Sequence, residues 1–135
     1  MAFPIDRKYI QEAELSLGFE FPDDFKDKME KENGGSFETD DDELFLFPFP
    51  DTEDEQRRIR TLTNIISETV SAKEWEGFPE NAVAVGDNGS GDILIFLPSV
   101  TDPTKLDNRF YMWRHETSRV EEVPHSIQDL MESAS

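Results

Sequence analysis

The residues best suited to chemistry are few. The sequence has two histidines, His115 and His125, the first followed directly by Glu116, and no cysteine. Two imidazoles and a carboxylate suit a divalent metal, but neither histidine stands in the H-E-x-x-H spacing that sets two ligands on one helix face. Both read as surface or strand-end residues. A second group is Gly86-Asp87-Asn88-Gly89-Ser90-Gly91-Asp92. Its G-x-x-G-x-G order reverses the dinucleotide fingerprint, and it joins two apolar runs where a phosphate cradle needs a strand followed by a helix. No Lys-Ser or Lys-Thr pair follows it, and Ser90 is one residue off a G-x-S-x-G elbow. Asp87, Asn88 and Asp92 lack the alternation of a calcium loop. A glycine-rich hairpin turn accounts for the segment, and no catalytic, cofactor or metal set is expected.

Carboxylates are the third group. The 135 residues carry 31 Asp and Glu against 13 Lys and Arg, a net charge of −18. From Glu38 to Glu55 the chain has nine acidic residues and no Lys or Arg. Asp40 to Glu43 are adjacent in an extended segment and point alternately to opposite faces, so they do not converge on one ion. Crowded like charges destabilise a fold, which argues for a surface that steers a basic partner. Asp40, Asp41, Asp42, Glu43, Asp51, Glu53, Asp54 and Glu55 are the candidate partner-binding residues. Neutralising the first four is expected to leave folding unharmed. Phe45, Phe47 and Phe49 interrupt the run, and an exposed ring among them would anchor a partner inside a charged rim. Nucleic acid and anionic membranes attract basic patches, so neither is expected to bind directly.

These groups must be positioned by a real core, and the composition supplies one. Hydrophobic residues are 36% of the chain and aromatics 11%, with 11 Phe. The length fits one domain, residues 1–135. No apolar run reaches the ~18 residues that cross a bilayer, and the first residues lack a signal peptide's apolar stretch. A cytoplasmic location is the expectation.

A helix is expected over about Asp6–Leu17, capped by Asp6, with Ile10, Ala13 and Leu17 on one face and Gly18 as its stop. Phe19 and Phe21 form a short extended piece, and Pro22 opens a second helix. Phe25 and Met29 share its inner face, and Asp24–Lys28 and Asp27–Lys31 pair outside. Asn33-Gly34-Gly35 ends it. Leu44–Phe47 is a strand expected to be covered on both faces. Thr52 and Glu55 form a capping box for a helix with Ile59, Leu62, Ile66 and Val70 on one side. Its Arg57, Arg58 and Arg60 sit near the start, the unfavourable end of the dipole. Ala82–Val85, Ile93–Leu97 and Phe110–Trp113 are further strands, and Ser126 caps a last helix with Ile127, Leu130 and Met131. Consecutive strands joined by short turns imply an α+β fold with a mainly antiparallel sheet flanked by helices.

Several segments together resemble the SUKH superfamily, which includes the Smi/Knr-type cell-wall-assembly regulator and many bacterial immunity proteins. They are L-S-L-G at Leu15–Gly18, F-E-F-P-D-D-F at Phe19–Phe25 and E-N-G-G at Glu32–Gly35. V-A-V-G-D-N-G-S-G-D-I-L-I-F at Val83–Phe96 and F-Y-M-W-R-H-E at Phe110–Glu116 follow in the family's order. Phe21 replaces a frequent Leu, and Ser90 a frequent Gly. The resemblance implies a twisted, mainly antiparallel sheet flanked by helices and no active site. Gly18, Pro22, Asn33, Gly34, Gly35, Gly86, Asp87, Gly91, Asp92 and Trp113 would then be structural. It further implies a protein partner: a toxin, frequently a nuclease, that an immunity protein neutralises. The alternative is a regulatory interaction module, which the shortness of the chain disfavours. A metal-dependent hydrolase is the remote third.

Overall fold

A computed structural model describes residues 3–39, 42–124 and 127. Helix α1 (Arg7–Leu17) begins where the Asp6 carboxylate accepts the Lys8 amide and ends at Gly18, whose φ of 83° is the left-handed stop. Pro22 is the N-cap of α2 (Asp23–Lys31), which buries Phe25 and Met29 completely. The expected outer pairs differ. Lys28 turns to the carbonyls of Glu32 and Gly34 and Asp27 to Arg7, because these partners lie at the helix end and on the adjacent helix.

A six-stranded antiparallel sheet follows in the order β1-β2-β3-β4-β5-β6. Its strands are β1 (Ser36–Glu38), β2 (Glu43–Leu46), β3 (Val83–Asp87), β4 (Ile93–Phe96), β5 (Tyr111–Arg114) and β6 (Arg119–Glu122). Helices α3 (Glu55–Arg60) and α4 (Ile65–Ala72) are inserted between β2 and β3. The expected α+β architecture is the one observed. β1 and β6 are additional strands: β1 is only three residues, and β6 is exposed at every position, so neither carries an apolar alternation.

The pleat separates two cores. Leu44 and Leu46 of β2, Val83 and Val85 of β3, Leu94 and Phe96 of β4 and Met112 of β5 face α1 and α2 in the larger one. Its centre is aromatic, with Phe25, Phe96 and Phe110 within 4.9 to 6.2 Å of one another. Ala84, Ile95 and Trp113 face the other way, against Ala72 and Phe78. Asn33 does more than end α2. It is buried, and its amide both donates to and accepts from the Phe49 backbone, at 2.9 and 2.8 Å. Ile127 is helical and fully buried; Ser126, Leu130 and Met131 of the expected last helix lie outside the described residues.

Two expectations change around α3. Leu44 and Leu46 are buried but Phe45 is 43% exposed, so β2 is covered on one face there. The cap of α3 is Asp54, which accepts the Arg57 amide, and the helix ends at Thr61. Arg57, Arg58 and Arg60 therefore occupy a last turn, the favourable end of the dipole.

Candidate partner-binding surface

Antiparallel order brings the β1–β2, β3–β4 and β5–β6 turns to one end of the sheet. Arg114, the last residue of β5, binds them together. Its guanidinium meets Asp42 at 3.1 Å, Asp92 at 3.0 Å and Glu121 at 2.9 Å. Asn88 donates to Asp42 and Asp92 and accepts the amides of Ser90 and Asp92. One Asp92 oxygen accepts the His115 amide at 3.1 Å and lies 2.7 Å from its Nδ1. Asp42 immediately precedes β2 and Arg114 ends β5, strands separated by β3 and β4, so the sheet must curl for them to meet. A cavity of about 70 Å³, lined by Leu44, Met112 and Val123 among others, lies under the pair.

Burial raises the pKa of Asp42 and of Asp92, but hydrogen bonds more than offset it, from Arg114 and Asn88 in one case and His115 and Arg114 in the other. Both carboxyls are held below their ordinary value. Arg114 is held charged, first by its bonds to Asp42. His115 and Asp92 have the geometry of an oriented base beside an open cleft of about 440 Å³. Their contact joins the β3–β4 and β5–β6 turns. No group of three or more metal-capable side chains occurs among the described residues.

The structure divides the candidate acidic run. Asp40 and Asp41 lie outside the described residues. Asp42 is tied to Arg114, with its side chain 14% exposed. Glu43 is exposed and paired in register with exposed Glu38. The second half lies with the helices, away from the turns. Asp51 is 2% exposed, accepts the Glu53 amide and donates its own amide to Thr61. It is therefore removed from the surface set, because the loop needs its carboxylate. Glu53 accepts the Tyr9 hydroxyl, Asp54 caps α3 and Glu55 pairs with Arg58.

The glycine segment is a turn, as its composition predicts, though Gly86 and Asp87 belong to β3. Gly34, Gly35 and Gly91 have φ of 124°, 91° and 100°. The Asp87 carboxylate accepts the Gly89 amide, and Trp113 is buried with its indole donating to the Gly77 carbonyl. Sequence reasoning missed Arg114, Asn88 and Glu121 as a braced cluster. One signal was present: Phe110, Met112 and Arg114 alternate, which sets a cation on the core-facing side of β5.

A family model described as SMI1 / KNR4 family (SUKH-1) matches residues 4–133. No curated protein and no solved structure matches the chain.

Proposed function

The chain belongs to the SMI1 / KNR4 family (SUKH-1), and from that premise we propose that it is an immunity protein that binds and neutralises a basic, nuclease-type toxin. The observation that carries the reading is the pairing of Glu38 with Glu43 at the turn end. Like charges directly opposite on neighbouring strands destabilise a sheet, and both residues are exposed, their side chains with no hydrogen-bond or ion-pair partner among the described residues. Such a pair is useful where a cationic surface arrives. A nuclease is cationic where it grips phosphate, and a net charge of −18 attracts it from a distance.

Neutralisation then needs no chemistry from this chain. Covering the cationic groove excludes nucleic acid, and steering raises the capture rate towards ~10⁸ M⁻¹s⁻¹ at low salt. The reading expects a toxin with a C-terminal nuclease domain to be encoded beside this chain's own gene, and the test uses that domain. Mixing the two should give a stable complex by light scattering and abolish nuclease activity. No complex, or a complex that still cleaves, contradicts the reading.

A further inference from the structure

The cross-strand registers place one row of residues across five strands. Phe45 pairs with Asp87, Asp87 with Ile93, Ile93 with Trp113 and Trp113 with Val120. The row lies on the sheet face opposite α1 and α2, since Leu44, Leu46 and Met112 point to those helices. Its centre is covered: Trp113 is buried under Phe78 and touches Trp75 edge-on. Its β2 end is open. Phe45 is 43% exposed, and Asp87 and Ile93 are half-buried beside it. With strands ~4.8 Å apart, Phe45 and Ile93 are separated by about 10 Å, with the Asp87 carboxylate between them.

The surroundings of this end are acidic. Glu43 lies two residues before Phe45 and so shares its face, and Glu38 stands directly opposite Glu43. Phe45's own cross-strand partners are Ser36 and Asp87. None of these four neighbours is a cation. An exposed aromatic ring ringed by carboxylates suits one kind of occupant, an apolar side chain flanked by arginine or lysine. The cation rests over the ring, its charge is met by Asp87 or Glu43, and the apolar group packs on the part of Ile93 left exposed.

We infer that Phe45, Asp87 and Ile93 form the docking anchor for a cationic partner protein, with Glu38 and Glu43 as its rim. This rests on the functional reading above and assigns it a location. The test is independent of the toxin. A short peptide alternating arginine and leucine is titrated into nitrogen-labelled protein at about 0.15 M salt, the regime in which charges more than ~8 Å apart are screened. Amide shifts should centre on Phe45, Asp87 and Ile93. Phe45→Ala should weaken the peptide about fivefold or more, the level expected for an anchor residue, and should leave the thermal midpoint unchanged. Neutralising Asp54 and Glu55 should change affinity less than about twofold, as expected of peripheral contacts. Shifts spread over both acidic regions, or centred on residues 51–55, overturn the assignment whatever the variants do. So does unchanged affinity in Phe45→Ala. Failure to bind the neighbouring toxin, with peptide shifts still centred on Phe45, sinks the immunity role and leaves the anchor standing.

Discussion

Gly86 shows how much a single residue decides in this protein. Its backbone is not left-handed, yet a Cβ there would stand 2.5 Å from the Phe45 carbonyl oxygen. Close approach of β2 and β3 is what excludes a side chain. Gly86→Ala should cost about 1–3 kcal/mol in urea unfolding, and Gly91→Val more than ~1 kcal/mol, since φ is +100° and the His115 ring is 3.0 Å away. Arg114 gives a pH-dependent prediction. The carboxyls of Asp42 and Asp92 titrate below their ordinary 3.8 when folded, so their contribution is complete above that value. It is lost as pH falls through the lower folded values. Arg114→Ala should therefore destabilise the domain by about 2 kcal/mol at neutral pH and flatten the acid limb of its stability profile. An unchanged acid limb would deny the network its role. The sequence showed the glycines clearly but not this network. Asp42 is 72 residues from Arg114, and nothing local records a contact made by curling a sheet.

At the scale of elements, the segment between β2 and β3 departs most from expectation. Ile59, Leu62, Ile66 and Val70 suggested one continuous helix face. The chain instead breaks after Thr61, and Asn64 begins α4 with a reciprocal cap in which it and Ser67 exchange side-chain bonds. Thr61 completes the break by donating to the Arg57 carbonyl and accepting the Asp51 amide. Short polar side chains compete with helix continuation in this way. As a result Ile59, Leu62 and Val70 are 54%, 58% and 61% exposed, Ile66 is partly buried against the larger core, and Ile65, outside the expected face, is the fully buried residue. Asn64→Ala should lower stability by about 1 kcal/mol, whereas Val70→Ser should change it by less than ~0.5 kcal/mol, both read from thermal melts. A large loss for Val70→Ser would mean the apolar face is packed after all. The first two helices were legible because cap, stop and buried face agree for each. The segment 52–72 was not, because N-x-x-S is a weaker signal than the T-x-x-E placed earlier in it.

For the molecule as a whole, charge and fold pull in different directions. The carboxylates near α1 and α3 cap helices and pair with cations. At the turn end Arg114 gathers Asp42, Asp92 and Glu121, whereas Glu38 and Glu43 have no cationic partner among the described residues. Added salt should therefore raise the melting temperature by screening self-repulsion, and it should slow capture of a basic partner. Asp42 also qualifies the expectation that neutralising residues 40–43 leaves folding unharmed, since it is a ligand of Arg114. The informative variant keeps it: Asp40→Asn, Asp41→Asn and Glu43→Gln, compared with a control that neutralises Asp54 and Glu55. The most direct measurement is stopped-flow association of both variants and the wild type with the neighbouring toxin domain, from about 0.01 to 1 M salt, where the Debye length falls from ~30 to ~3 Å. The turn variant should associate about tenfold more slowly at low salt, with a shallower salt slope and little change in dissociation, while the control stays close to wild type. Equal rates and slopes for all three proteins would contradict a steering role for the turn end.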